Sequence, residues 1–381
     1  MRVIVIGAGI LGASAAFHVA LAGAQAVLVD LARDGRATAA GAGIVCPWLS
    51  EAADPEWYRI ASAGARYLPT LVQGLAAFGE HELGFRRVGA LSVSRHERDL
   101  DRIERLVLAR RADAPEAGEV SRLSSHQARA LFQPLHPELA AVHVSGGARV
   151  DGRLLAGALC RATERQGGML RQGTARLLTD GVQVTGACVG NERIEADAVI
   201  LAAGAWAPAL LAPLELSLAI EPQRGQIVHL RMEGVETGNW PVVLPPGSHY
   251  LLAFEGGRVV VGATRERGTG FDYRVTAAGQ AEVLNQALAV APGLGHATLI
   301  ETRIGFRPLG PDARPLLGAV AGMGGLVIGN GMGPSGLTIG PFAGRLLAQV
   351  ALNQPPDLPL ASYDPFRSRT GISASDADAI R

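Results

Sequence analysis

MRVIVIGAGILGASAAFHVALAGAQAVLVD, residues 1–30, is the stretch on which the reading of the whole chain turns. Val3 to Ile6 is a short apolar run of the kind that makes a fully buried parallel strand. It leads into Gly7, Gly9 and Gly12, then into a small-residue helical segment from Ala13 to Ala22. A second apolar run, Ala26 to Val29, ends on Asp30. Strand, glycine turn, helix, strand and acid follow in the order of a dinucleotide-binding βαβ unit. Gly7 allows the tight turn, Gly9 lets the backbone approach a pyrophosphate, and Gly12 lets the helix lie close on the sheet. The phosphate charge meets the N–H groups at the helix start, with Ile10 and Leu11 part of that contact. Asp30 stands where a carboxylate accepts hydrogen bonds from a ribose diol.

The same stretch has a competing reading. Val3 to Val29 carries no charged side chain and would pass as a membrane helix, as would Ala198 to Leu214. Gly7, Gly9, Gly12 and Gly23 argue against the first, and Gly204, Pro208 and Pro213 break the second. The basic start and cleavage site of a signal peptide are absent, so a soluble, cytoplasmic protein is expected. A chain of 381 residues supports two or three folding units, and 35 basic against 35 acidic residues leave no electrostatic footprint for nucleic acid. Cys46, Cys160 and Cys188 suggest neither a disulfide framework nor a zinc site, and the nine histidines show no metal-ligand spacing. No metal is expected. The chain has no lysine, which excludes Walker A phosphate binding and Schiff-base chemistry.

Beyond Asp30, Thr38 to Ile44 is a second small-residue loop. Its Ala40, Gly41, Ala42, Gly43 and Ile44 are small enough for backbone to lie against a flat ring or a pyrophosphate. Cys46 and Trp48 follow, either as an apolar turn or as flavin-facing residues. Helices are expected over Trp57 to Phe78, Glu97 to Arg111 and Arg153 to Gln166, the last with Asp151 as N-cap. Phe85 to Ser94 reads as a strand and Ala114 to Ser125 as a polar connection. Met169 to Leu178 and Gly181 to Val189 read as strands of a small antiparallel element. Ala198 to Trp206 reads as a buried strand ending in a turn, in which Ala203, Gly204 and Trp206 add another cofactor wall. Ile220 to Leu230, Tyr250 to Phe254 and Arg258 to Ala263 read as further strands.

Taken together, these pieces resemble the D-amino-acid oxidase family of FAD-dependent oxidoreductases, in its glycine oxidase, sarcosine oxidase and bacterial D-amino-acid dehydrogenase branch. The resemblance is carried by residues 3–20 with Asp30, by AAGAGI (39–44), GARVDGRLL (147–155) and AVILAAGAWA (198–207), and by QRGQIVHL (223–230) and RVVVGATRE (258–266). GFRPLGPDARPLLG (305–318) and GLVIGNGMGPSGLTIGPFAG (325–344) are its most specific parts. It implies an α/β fold in which a Rossmann-like FAD-binding domain (1–82, 149–216 and 302–381) is interleaved with a mainly antiparallel α+β substrate-binding domain (83–148 and 217–301).

The resemblance also implies an activity: oxidation of an amine or amino acid at the carbon beside nitrogen. A hydride equivalent passes to N5 of noncovalently bound FAD, and the imine product hydrolyses to a keto acid or aldehyde. Arg307 matches the family's carboxylate-binding arginine, and Tyr250 a tyrosine that positions the same carboxylate; an interdomain ion pair and a half-buried strand tyrosine are the plain alternatives. Ala175 joins the cofactor contacts. The terminal segment from Gly329 to Leu337 would present N–H groups and a helix start to the flavin's N1–C2 carbonyl edge, with Gly331, Gly333, Pro334, Ser335, Gly336, Leu337 and Thr338 as cofactor contacts. The chain departs from its relatives in two ways. It lacks an arginine that several carry near Pro334, which permits a larger or N-substituted amine. It also lacks the lysine that promotes oxygen reactivity in the sarcosine oxidases. Arg265 either stands in for that lysine or is a strand-end surface residue. Oxygen and an electron carrier both stay open as acceptor, and an oligomer is compatible with the sequence. A nicotinamide-dependent reductase, and an FAD protein acting on a non-amine substrate, are the competing readings.

Overall fold

The structure, a computed structural model, describes residues 1–367. The end of the last expected FAD-domain segment, residues 368–381, lies outside the described residues. A six-stranded sheet runs in the order Leu316–Ala319, Leu326–Asn330, Ala198–Leu201, Arg2–Ile6, Gln25–Asp30, Met169–Gln172. Neighbours are parallel except the pair formed by Leu316–Ala319 and Leu326–Asn330. Arg2–Ile6 is central and buried on both faces, which is why it reads as an unbroken apolar run rather than an alternation. Val3 and Val5 pack with Leu11, Ala15 and Leu346 of the helices on one face. Ile4 and Ile6 pack on the other face with Leu177 and Ala187. Those two residues belong to a three-stranded antiparallel element, Ala175–Thr179, Val184–Val189 and Glu192–Glu195.

The second large sheet is mixed and eight-stranded. Its order is Thr298–Leu309, Glu221–Arg231, Arg258–Gly262, Tyr250–Ala253, Val242–Leu244, Ala90–Ser94, Ala140–Val144, Val120–Leu123. Helix Ala277–Val290 covers it through Val283 and Ala287, which meet Val228, Val259 and Val261. The fold class is therefore mixed α/β, with one sheet largely parallel and the other largely antiparallel. No helix among the described residues is long and apolar enough to cross a membrane.

Several elements differ from the sequence-based expectation, each for a local reason. The first helix begins at Ile10, three residues early, because Gly9 is already its extended N-cap. The helix expected from Trp57 begins at Pro55, where Asp54 caps it by accepting from the N–H groups of Glu56 and Trp57 at 2.9 and 3.0 Å. Phe85 to Ser94 is two strands, Arg86–Arg87 and Ala90–Ser94, in different sheets. Gly89, at φ +79°, turns the chain between them. Met169 to Leu178 is likewise divided at Gly173. Its first half adds to the parallel sheet beside Gln25–Asp30, and only the second half is antiparallel. The expected polar connection contains an edge strand, Val120–Leu123. Expected domain boundaries at 148/149 and 301/302 both fall inside strands, Ala148–Arg149 and Thr298–Leu309. Asp151 does cap its helix, accepting from the N–H groups of Arg153 and Leu154.

Two buried histidines tie this packing to pH. His18 Nδ1 donates to the Ser14 carbonyl at 2.6 Å, so its Nε2 accepts from the Tyr67 hydroxyl at 2.5 Å. Burial lowers the pKa of His18 to about 4 and that of His229 to about 4. Both fold as neutral imidazoles while the unfolded chain takes up protons near pH 6.5, so their contribution is present above about 6.5 and lost as pH falls towards about 4. The melting temperature should therefore fall between pH 6.5 and 4. His18→Gln should melt lower at pH 7 but show a shallower slope across that window. An unchanged slope in thermal melts would count against the buried neutral imidazole.

Candidate active site

The dinucleotide motif and the end of the eight-stranded sheet open onto one cavity of about 740 Å³, which extends from Asp30 to Arg307. Gly7, Gly9, Ile10, Leu11, Asp30 and the whole loop from Ala40 to Ile44 line it. So do Ala175, Ala203, Gly204, Trp206 and the segment from Gly333 to Thr338. Tyr250 and Arg307 line its other end. Gly12 and Gly331 are the expected cofactor contacts that stand behind the wall. A Cβ on Gly12 would lie 1.8 Å from the Gly7 carbonyl oxygen, so its role is close helix packing. A Cβ on Gly331 would meet Leu316 Cγ at 3.1 Å.

At the motif end, Gly7 has φ +106°, and a Cβ there would sit 2.4 Å from the Ala202 carbonyl oxygen. Gly9 is different: a Cβ there would meet only Thr38 Oγ1, at 3.2 Å. The backbone at Gly9 is thus bare towards the cavity, as the approach of a pyrophosphate requires. Thr38 Oγ1 accepts from the Ile10 N–H at 3.0 Å and so stands at the helix start. Asp30 accepts from the N–H groups of Ala8 and Ala32 at 3.1 and 2.9 Å and pairs with Arg36 at 3.1 Å. A second helix, Gly336–Ala351, also aims its start at the cavity, and a Cβ on Gly336 would touch nothing within 4 Å. Asn330 joins the two glycine turns around it, donating to the Gly204 carbonyl at 2.9 Å and accepting from the Gly331 N–H at 2.8 Å.

At the other end, Arg307 projects from Thr298–Leu309 and lies over Gly225, where a Cβ would be 2.7 Å from its Nη1. Its Nη1 donates to the Thr264 carbonyl at 3.0 Å and to Gln223 Oε1 at 3.4 Å. Both partners are neutral. Among the described residues no carboxylate comes within 4 Å of Arg307, and Asp30 is the one acid lining the cavity. Tyr250 lies beside Arg307. Burial raises the pKa of its phenol, with the charges of Arg307 and Arg265 opposing the rise. Arg265 lines the same end. Phe271 also lines the cavity, stacked on Trp206 at 5.1 Å between ring centroids and edge-on to Phe306 at 5.3 Å.

Sequence reasoning missed Arg36, Thr38, Phe271 and Phe306, and the side-chain role of Asn330. Thr38 had a signal, as the first polar residue of the small-residue loop; the aromatic cluster depends on contacts between distant segments and had none. Cys46 and Trp48 do not line the cavity; both are buried, and burial pushes the Cys46 thiol up to about 12. Among the described residues no group of His, Cys, Asp or Glu is arranged to hold a metal.

Comparison with known proteins finds similarity along nearly the whole chain. The model of the DAO family, described as FAD dependent oxidoreductase, matches residues 2–350. An uncharacterized oxidoreductase of Bacillus subtilis, YurR, is 47% identical over 363 residues, covering 95% of this chain and 98% of its own. The crystal structure of iminodiacetate oxidase from Chelativorans sp. BNC1 superimposes with a TM-score of 0.93 at 54% identity, over 96% of this chain and 99% of that one. The glycine oxidase of Pseudomonas aeruginosa is 31% identical, over 96% of this chain and 98% of its own.

The bare backbone at Gly9 generates a test. In Gly9→Val, a branched side chain occupies the space that the pyrophosphate needs, so the variant should purify with less than about a tenth of the wild-type FAD while its circular dichroism is unchanged. Normal flavin occupancy would show that Gly9 serves only the turn.

Proposed function

The chain belongs to the DAO family of FAD-dependent oxidoreductases, and from that membership we propose that it oxidises an N-substituted amino acid at the carbon beside nitrogen. The observation that carries this reading is Arg307, a cavity-lining guanidinium held by neutral oxygens alone. Arg307 is half-buried, and a partly desolvated cation with no internal counter-charge is favoured when an anion completes it. A carboxylate fits its planar fork with two parallel hydrogen bonds. Tyr250, kept as a neutral phenol by its burial, has a proton to donate to the same carboxylate. The resemblance to iminodiacetate oxidase supports a secondary amine.

The residues at the other end fit FAD. Gly9 and Gly336 leave bare backbone at two helix starts, Asp30 stands at the far end for a ribose, and the cavity is long enough to join these points to Arg307. FAD, when bound, supplies the two-electron acceptor. The protein's own part is to hold the substrate and keep its nitrogen reactive. The amine must be neutral to react, and the substrate end of the cavity has no carboxylate lining it to stabilise an ammonium. Phe271 and Trp206 add stacked apolar rings to that end. On this reading segments 1–82, 149–216 and 302–367 hold the cofactor, and 83–148 and 217–301 hold the substrate together with Arg307. A nicotinamide-dependent reductase leaves the second helix start, at Gly336, without a purpose.

Two outcomes are expected. The protein should purify yellow, and acid precipitation should release FAD into the supernatant; colour retained in the pellet would contradict noncovalent binding. Arg307→Leu should lower kcat/KM for the amino-acid substrate at least about thirtyfold, because a desolvated charge-assisted contact is worth on the order of 2–5 kcal/mol. Its flavin content should not change. Arg307→Lys should recover only part of the loss, since an ammonium lacks the planar fork. Full activity in Arg307→Leu would remove the carboxylate assignment.

A further inference from the structure

We infer that Gln223 is the positioning residue of the carboxylate site: its neutral amide fixes Arg307 without cancelling the charge that a substrate anion needs. The inference rests on the assignment of Arg307 above and adds the feature that keeps Arg307 available. Gln223 and Arg307 are directly opposite in the antiparallel pair formed by Glu221–Arg231 and Thr298–Leu309. Their side chains therefore share one face of the sheet. Gly225, two residues on, belongs to that face too, and its missing side chain is the space in which the guanidinium lies. Gln223 Oε1 accepts from Arg307 Nη1 at 3.4 Å, and the Thr264 carbonyl accepts from the same nitrogen at 3.0 Å. A guanidinium only donates, so the oxygen of the amide must be the atom that faces it.

The neighbouring residue shows the opposite arrangement. Arg224 lies on the other face of the same strand and is paired with Glu266 at 2.5 Å and Asp272 at 2.8 Å. Its charge is used inside the protein. At Arg307 the position directly opposite on the paired strand carries an amide where a carboxylate in its place would make that internal pair. The amide also has a cost. Gln223 is 2% exposed, and its Nε2 is buried with no hydrogen-bond partner. A residue that only filled space would do better as an apolar side chain, without an orphaned N–H. Its oxygen is the one part that serves a neighbour, and that neighbour is Arg307.

The test uses the FAD-loaded protein and acetate as an unreactive carboxylate probe, with affinity read from the change in the flavin absorbance spectrum. Gln223→Glu should weaken acetate binding at least about thirtyfold, because a buried internal ion pair replaces the one with the ligand. Gln223→Leu keeps the charge of Arg307 but loses its anchor, and should weaken acetate binding only about threefold to tenfold. FAD content and melting temperature should stay close to wild type in the leucine variant. Acetate binding by Gln223→Glu within about threefold of wild type overturns the inference, as does an equal loss in both variants accompanied by loss of FAD. If the glutamate variant fails to fold, the leucine variant decides: unchanged acetate affinity there overturns the inference. Arg307→Leu separates the two claims. If it binds acetate normally, the Arg307 assignment falls and this inference with it; if it loses acetate while Gln223→Glu does not, only the role of Gln223 falls.

Discussion

Everything at the cofactor end depends on how closely helix Ile10–Leu21 is pressed against helix Gly336–Ala351. A Cβ on Gly344 would lie 2.6 Å from Ser14 Cβ and 2.7 Å from the Leu11 carbonyl oxygen, and one on Gly340 would lie 2.9 Å from Ile10 Cγ2. Glycine at these two positions, four residues apart on one helix face, is what allows the contact. Ser14 Oγ then donates to the Pro341 carbonyl at 2.6 Å, a hydrogen bond that ties the two helices together at their contact. Because the helices meet near their beginnings, two positive helix ends converge on one cavity. The apolar run Val3–Ile6 beneath them and the glycines between are consequences of the same geometry, since nothing larger fits between helix and sheet.

The second organising feature is charge. The acids and arginines of this chain are mostly paired with each other, as at Glu80 with Arg161 and Arg165, or at Arg149 with Glu255. Arg307 departs from that pattern: it lines the cavity with only neutral oxygens as partners, while the other end of the cavity has two helix starts. An interior of low dielectric amplifies such an imbalance. On the proposed reading the cavity takes a long anionic cofactor and an anionic substrate end to end, with the Phe271–Trp206 stack at the substrate end.

Much of this was legible in the chain because its signals are local. The run Val3–Ile6, the three glycines and Asp30 specify a βαβ unit within thirty residues, and the structure has it with shifted helix bounds. Glycine was harder to read where its effect depends on distant neighbours. Gly89 and Gly173 divide segments whose composition reads as single strands, because each turns the chain from one sheet into another. Gly225, the floor beneath Arg307, has no meaning until the strands are paired. The same limit hid Gln223, which is an ordinary strand residue in the sequence. The aromatic cluster joins residues 206, 271 and 306, and no spacing rule connects them.

On the proposed reading one cavity holds FAD at one end and an amino-acid carboxylate at the other, with the reacting carbon between. Anaerobic mixing of the FAD-loaded protein with an N-substituted amino acid, and separately with the amine that lacks its carboxylate, tests this directly. The flavin absorbance should bleach with the amino acid at least about thirtyfold faster than with the amine at equal concentration, the factor expected for one desolvated charge-assisted contact. Equal bleaching by both compounds, or none by any amino acid in a panel of one- and two-carboxylate substrates, would contradict the account.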